Sequence, residues 1–290
     1  MEDLLAKYSY YPDTQELDKR LSVIQCNINN WMTPENFSKC LALMDLTTLK
    51  STDTEEKVAH LASKVNKFKA SFPSYPVPAS ICVYPNLGRT VKETLTDSNV
   101  HVTVVAGNFP TSQSFEEIKI AECKRAATEG ADEIDIVLAL NKFLAGDIVS
   151  AGLEIKHIKE AIDTDKTLKV ILETGALQSP QNIAIASFLA MENGADFIKT
   201  STGKLEPAAT PMAALIMCDA IKAFYEKTGK KIGFKPAGGM VVAKDAICYL
   251  GIVETVLGKE WVEKPLFRLG ASRLANNLLS ELEGRTVSYY

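Results

Sequence analysis

Lys199 and Lys235 each close a short apolar run, Phe197-Ile-Lys-Thr and Ile232-Gly-Phe-Lys-Pro, and Asp135 lies inside a third, Glu133-Ile-Asp-Ile-Val-Leu. Asp45 interrupts Leu41-Ala-Leu-Met-Asp-Leu-Thr, and Glu173 ends Leu168-Lys-Val-Ile-Leu-Glu. A charge buried without a partner is costly, so any one of these alone reads equally well as half of a structural ion pair. Two lysines at equivalent positions of neighbouring runs are harder to explain that way. An amine attacks a carbonyl only when neutral, and an exposed lysine with a pKa of about 10.4 is almost wholly protonated at neutral pH. A neighbouring cation and partial burial both lower that value, which turns one lysine into an imine-forming nucleophile tuned by the other. Asp135, in the same mouth, suits proton transfer, directly or through water. The chemistry that fits is imine formation on a carbonyl substrate.

Three small-residue segments follow the last apolar runs: Thr200-Ser-Thr-Gly-Lys204, Pro236-Ala-Gly-Gly239 and Gly270-Ala-Ser272. Small residues let backbone N–H groups approach an anion, and Lys204 adds charge. Each glycine alone reads as a turn residue; three such turns in succession favour a phosphate site. The histidines His60, His101 and His157 fall in no metal-ligand spacing, and the six cysteines Cys26, Cys40, Cys82, Cys123, Cys218 and Cys248 form no C-x-x-C pair. Neither a metal centre nor a Ser-His-Asp triad is expected, and the thiols read as reduced and cytoplasmic.

The elements that must position these residues alternate. Apolar, β-branched runs begin at Leu41, Ser80, His101, Glu133, Leu168, Phe197, Ile232 and Phe267, as strands covered on both faces should. Between them lie helical patterns opening at Thr54, Ser114, Ser179-Pro and Thr210-Pro. The repeat is about 33 residues, the size of one βα unit, and eight units close into a (β/α)8 barrel of the TIM type. A doubly wound sheet is the rival, but Leu46-Thr-Thr-Leu-Lys stands where its G-x-G-x-x-G would follow the first strand. The expected division is an N-terminal helical extension over residues 1–38 that caps the bottom of the barrel, the barrel itself over 39–275, and a helix end with a mobile tail over 276–290.

Length and composition agree with this. The chain has 290 residues, 46% of them apolar and 23% charged, and a formal net charge of −4. One barrel of about 250 residues or two modest domains would both fit such a length. Mild acidity gives no bulk attraction for nucleic acid or anionic membrane, no window approaches a membrane span, and the acidic start Met1-Glu-Asp is unlike a secretion signal. The charge that matters is local: Lys199, Lys204 and Lys235 would gather in one mouth.

Leu43-Met-Asp-Leu-Thr-Thr-Leu, Ala131-Asp-Glu-Ile-Asp-Ile-Val, Ile171-Leu-Glu-Thr-Gly, Ala195-Asp-Phe-Ile-Lys-Thr-Ser-Thr-Gly-Lys and Gly233-Phe-Lys-Pro-Ala-Gly-Gly, in this order from Leu41 to Ser272, resemble the deoxyribose-phosphate aldolase family. The resemblance implies a cofactor-free class I lyase on a (β/α)8 barrel that reversibly cleaves 2-deoxy-D-ribose 5-phosphate to D-glyceraldehyde 3-phosphate and acetaldehyde, in deoxynucleoside and deoxyribonucleotide catabolism. By motif position it implies Lys199 as the imine lysine, Lys235 as the lysine that lowers its pKa, and Asp135 as the proton-handling carboxylate. Asp45 and Thr47 match residues that bind substrate hydroxyls, and Thr202, Gly203, Lys204, Gly238, Gly239, Gly270 and Ser272 match the phosphate side. Tyr290 resembles a tail tyrosine that folds over the site, a disordered end being the plain alternative. Cys82 stands where members carry a cysteine that an aldehyde product could trap, although a buried inert thiol fits it better. Arg273 departs from the serine of many bacterial members. The implied partner is a small phosphorylated sugar, with no cofactor beyond the covalent imine on Lys199, no nucleic acid, no membrane, and room for a homodimer or higher homo-oligomer. On the residues alone, another class I aldolase and a sugar-phosphate-binding protein without turnover stay open.

Overall fold

The computed structural model describes residues 2–290, so Met1 of the acidic start lies outside the described residues. Eight strands alternate with helices: β1 (Met44–Thr47), β2 (Ser80–Val83), β3 (His101–Val105), β4 (Glu133–Val137), β5 (Thr167–Ile171), β6 (Phe197–Lys199), β7 (Gly233–Lys235) and β8 (Leu269–Ala271). All pair in parallel in the order 7-6-5-4-3-2-1-8, and bridges Phe234–Phe267 and Ala237–Gly270 bring β7 to β8. β1 pairs with both β2 and β8, so these bridges between the two end strands close the ring. The doubly wound alternative is thereby excluded and the (β/α)8 barrel stands. The final strand begins at Leu269 rather than Phe267, because Phe267 makes only an isolated bridge to Phe234.

Strand parity sets what faces the interior, since alternate residues point to opposite faces. Glu133 and Asp135 on β4 lie two apart, as do Phe197 and Lys199 on β6 and Gly233 and Lys235 on β7. Gly233 is required by its neighbour: a Cβ there would sit 2.4 Å from ring carbons of Phe197. The outward strand residues, Ile81, Val102, Ile134, Val170, Ile198 and Phe234 among them, are buried under the helices.

The helices begin where side chains satisfy their first N–H groups. Thr54 accepts from Lys57 N, Ser179 from Asn182 N ahead of Pro180, and Thr210 from Ala213 N ahead of Pro211. Ser114 does not start a helix; the helix runs Glu116–Thr128 with Phe115 before it and no side-chain cap.

The N-terminal segment lies along the outer helices, where the sequence suggested a cap over the bottom. Tyr8 stacks on Phe188 with centroids 4.3 Å apart and donates to Glu192, while Arg20 makes paired hydrogen bonds of 2.8 and 2.7 Å to Asp219, which also accepts from Tyr10. Trp31 donates to Glu254 at 2.9 Å, across the helix Ala243–Val256. These lateral contacts are driven by aromatic burial on the helix ring. The expected boundaries also cut elements: residue 38 falls inside the helix Pro34–Ala42 and residue 275 inside Leu274–Glu283, two helices packed against each other. Among the described residues no helix is long and apolar enough to cross a membrane.

Candidate active site

The strand ends bring Asp45, Asp135, Lys199 and Lys235 together, all buried. The register sets Lys199 beside Lys235 across β6 and β7. Both ammonium groups donate to one atom, Asp135 Oδ2, each at 2.8 Å, and Lys235 Nζ also lies 2.5 Å from Asp45 Oδ2.

The sequence reading missed three charged residues beneath this layer. Lys169 Nζ contacts Glu133 Oε2 and donates to Asp135 Oδ1 at 3.1 Å, with Asp45 Oδ2 at 3.6 Å. Arg268 donates 2.6 Å bonds to Asp45 Oδ1 and Glu133 Oε1. Thr103 donates to Glu133 Oε2 at 2.7 Å, and Lys169 Nζ and Arg268 Cζ each lie 5.9 Å from the centre of the Phe197 ring. The signal is present in the sequence: all three interrupt apolar runs as Asp135 does, Glu133 opening β4, Arg268 just ahead of β8, and Lys169 at mid-strand in register with Asp135.

The cluster holds three carboxylates (Asp45, Glu133, Asp135) against four basic groups (Lys169, Lys199, Lys235, Arg268). With every group ionised, one positive charge is uncompensated in a low-dielectric interior. Burial pulls each amine down, and the carboxylates decide which resists. Against burial, Asp135 and Asp45 hold Lys235 above the ordinary lysine value, and Asp135 and Glu133 do the same for Lys169. Lys199 has Asp135 alone, and burial with the Lys235 charge lowers it. Despite burial, which favours the neutral acids, Lys235, Lys169 and Arg268 pull Asp45 down to about 2, and three lysines hold Asp135 well below the carboxylate range. Neutral Lys199 balances the cluster, and of the cluster's three lysines it has the weakest hold on its proton.

Around the rim the small-residue turns converge. Thr200 Oγ1 accepts from Ala237 N at 2.9 Å, Ser201 Oγ donates to Ala237 O at 2.6 Å, and Gly238 N donates to Gly270 O at 3.3 Å. Gly203 and Gly238 touch: a Cβ on Gly238 would lie 3.0 Å from Gly203 Cα and 2.8 Å from Ala208 Cβ, and φ values of 73° and 79° suit only glycine. Thr202 is buried, and its N–H and hydroxyl donate to Glu173 at 3.1 and 2.5 Å. Glu173 itself takes a left-handed conformation, φ 53°. The sequence shows its place at a strand end, and the structure adds its grip on the Thr202 loop.

Other expected residues fall elsewhere or serve otherwise. Lys204 Nζ donates to Leu49 O at 2.6 Å, across the mouth from its own loop. Gly270 makes room for Lys235, whose Cε would be 3.0 Å from a Cβ there. Ser272 is exposed just before the helix Leu274–Glu283, and Thr47 is half-buried with its hydroxyl on Asp45 O. Cys82 is buried with Leu49 and Val105 against Tyr84 and Phe109, an apolar wall on the β1–β3 side. Burial pushes its thiol up, which keeps it protonated and favours the inert thiol over the aldehyde trap.

Tyr290 is outside the mouth, and the tail is docked where mobility was expected. Asn276 Oδ1 accepts from Tyr289 N and Tyr290 N at 2.9 Å, and the Tyr290 ring stacks on Phe68 with centroids 5.8 Å apart. Tyr289 OH donates to Lys64 O at 2.7 Å. Aromatic burial on the helix Glu55–Ser71 holds the chain end there.

Comparison with known proteins agrees with this geometry. The family model described as DeoC/LacD family aldolase matches residues 39–250, which takes in β1 to β7 but not β8. A Caenorhabditis elegans protein named "Putative deoxyribose-phosphate aldolase" is 39% identical over 272 residues, covering 93% of this chain and 89% of its own. A Toxoplasma gondii crystal structure of the same designation superposes with a TM-score of 0.73 at 26% identity, over 87% of this chain and 97% of that one. The deoxyribose phosphate aldolase of Aeropyrum pernix, described as a unique tetramer, shares the fold at 22% identity, TM-score 0.65, over 94% and 98% of the two chains.

Proposed function

This chain belongs to the DeoC/LacD family of aldolases, and on that premise we propose that it reversibly cleaves 2-deoxy-D-ribose 5-phosphate through an imine on Lys199, without a cofactor. The observation that carries this reading is the single Asp135 oxygen shared by Lys199 and Lys235, because it leaves Lys199 the amine with the weakest hold on its proton.

In the cleavage direction neutral Lys199 attacks C1 of the open-chain sugar, and loss of water gives a protonated imine. That nitrogen then carries at most one N–H, which frees acceptor capacity on Asp135 Oδ2. A water on Asp135 takes the C3 hydroxyl proton, and C3 becomes the carbonyl of glyceraldehyde 3-phosphate. The C2–C3 electron pair moves into C1–C2, leaving an enamine. Protonation at C2 and addition of water release acetaldehyde and restore the amine. Asp45 and Thr47 face the sugar hydroxyls, and Gly203, Lys204, Gly238, Gly239 and Ser272 surround the phosphate with N–H groups and one ammonium. No step is assigned to Tyr290, whose ring lies on Phe68.

The same reading includes a role in deoxynucleoside catabolism, a cytoplasmic location for a chain with six free thiols, and a homo-oligomer measurable by sedimentation. Its test is borohydride reduction in the presence of deoxyribose 5-phosphate, followed by peptide mapping. The expected result is a two-carbon adduct on Lys199 with acetaldehyde released before reduction. An adduct on another lysine overturns the assignment, and dihydroxyacetone transfer without acetaldehyde moves the protein to a different class I aldolase.

A further inference from the structure

Each carboxylate of the site has one oxygen facing the reactive lysines and the other held from below. Asp135 gives Oδ2 to Lys199 and Lys235, and its Oδ1 accepts from Lys169 at 3.1 Å. Asp45 gives Oδ2 to Lys235, and its Oδ1 accepts from Arg268 at 2.6 Å. Glu133 ties the two lower cations together: it contacts Lys169 through Oε2 and Arg268 through both oxygens. All three lower residues are buried, so no water competes for these contacts; Asp135, hydrogen-bonded through both oxygens, cannot rotate about χ2 without breaking a bond, and Asp45 is held by its Arg268 bond and its Lys235 ion pair.

We propose that Lys169, Arg268 and Glu133 are positioning residues for the aldolase reaction: a lower tier that fixes the rotation of Asp135 and Asp45 and sets the charge balance against which Lys199 gives up its proton. The inference rests on the Schiff-base reading above. None of the three needs to touch the substrate. Their influence passes through the groups facing the nucleophile, which are Asp135 on β4, Lys235 on β7 and Cys82 on β2. Asp135 in turn faces Lys169, Lys199 and Lys235, and Asp45 faces Lys235, Lys169 and Arg268.

Charge balance gives the proposal opposite signs for opposite changes. Lys169→Met deletes a positive charge, leaves Asp135 more attractive to the Lys199 proton, and moves the midpoint of Lys199 reactivity to higher pH. Glu133→Gln deletes a negative charge, leaves Lys169 and Arg268 in excess, and moves that midpoint lower. A shift of about one pH unit is expected in each case, at the low end of what a neighbouring charge produces.

The measurement is the rate of borohydride trapping against pH, with deoxyribose 5-phosphate as the probe, on the intact protein. Wild type is run beside the variants: failure of wild type to trap overturns the Schiff-base reading itself. Opposite midpoint shifts, with Lys169→Arg returning the midpoint to the wild-type value, support the tier. Unmoved midpoints in both single variants overturn it, whatever happens to stability. Where a single variant does not fold, Lys169→Met combined with Glu133→Gln decides, since it keeps the net charge. Lower kcat at unchanged midpoint and KM supports the positioning role, and wild-type kcat overturns it.

Discussion

Lys199 Nζ and Lys235 Nζ donate to the same oxygen, Asp135 Oδ2, each at 2.8 Å, and only Lys235 has a second carboxylate, Asp45, to hold its proton. On the proposed mechanism this asymmetry makes Lys199 the reacting amine and Lys235 the removable half of the device. In Lys235→Leu the like charge beside Lys199 is gone, while Asp135 keeps its pull. The Lys199 pKa rises from its lowered value, so the neutral fraction at pH 7 falls, about tenfold for each unit of rise. The limb of kcat/KM that climbs with pH is expected to move to higher pH, by about 1–3 units. A limb that stays in place would exclude Lys235 from tuning the nucleophile.

Lys199→Arg tests the nucleophile itself. A guanidinium does not deprotonate in the working range and forms no imine, yet it keeps a cation on Asp135. Turnover and borohydride trapping should both vanish while the melting temperature stays within a few degrees of wild type. Residual trapping mapped to Lys235 or Lys204 would reassign the reactive amine.

The sequence places Gly270 in a phosphate turn, and the structure adds that its missing side chain makes room for Lys235. A Cβ there would lie 3.0 Å from Lys235 Cε and 2.9 Å from Ala237 Cβ, with no slack around a lysine pinned by two carboxylates. Gly270→Ala is expected to cost about 1–3 kcal/mol of stability through overpacking. It should also lower kcat by ~10- to 100-fold, because misplacement by a fraction of an ångström is felt at the reacting atoms. Stability lost with kcat intact would mean that Lys235 tolerates displacement.

Acid sensitivity follows from the carboxylates. Asp45 is held at about 2, against about 3.9 for a free aspartate, and Glu133 is also held well below its ordinary value. A carboxyl with a depressed folded-state pKa stabilises the fold at pH above its unfolded value, and that stabilisation is lost as pH falls through the folded one. Melting temperature should therefore hold from neutrality to about pH 4 and drop steeply between about pH 4 and 2. Asp45→Asn should cost stability already at pH 7, by the ~3–5 kcal/mol typical of breaking a buried pair, and make the acid slope of the melting temperature shallower. Equal acid slopes in the two proteins would show that Asp45 does not carry the effect.

Much of this arrangement was legible because barrels concentrate information in strand parity. A charge inside a run such as Glu133-Ile-Asp-Ile must face the interior with its neighbour two residues away, and that rule, applied throughout, would also have found Glu133, Lys169 and Arg268. Local capping chemistry was equally readable at Thr54, Ser179 and Thr210, where one side chain meets one N–H group. What sequence could not supply were contacts between segments far apart in the chain. Tyr290 on Phe68, Arg20 on Asp219, Lys204 on Leu49 O and the space for Lys235 over Gly270 depend on how helices and loops settle against one another. No periodicity encodes that.

Glu173 makes such a contact, and it carries the last expectation. Its carboxylate accepts both the N–H and the hydroxyl of Thr202, at 3.1 and 2.5 Å, immediately before Gly203 and Lys204. The residue pays for that reach with a left-handed backbone at φ 53°, held in place by Thr174 N on Thr200 O and Ala176 N on Glu173 O. The Thr202 loop is thereby fixed from β5 while Lys199, three residues earlier, is fixed from β4. Glu173→Gln keeps the shape but removes the charge, and its amide nitrogen meets Thr202 only as a donor, so the Thr202 hydroxyl proton loses its acceptor. A hydrogen bond to a charged group contributes about 1.5–3 kcal/mol, so KM for deoxyribose 5-phosphate should rise about tenfold or more. If the loop holds the phosphate, as proposed, kcat/KM for unphosphorylated deoxyribose should stay near the wild-type value, as should the pH profile of imine trapping. An equal loss on both sugars would move Glu173 from holding the phosphate loop to supporting the catalytic layer as a whole.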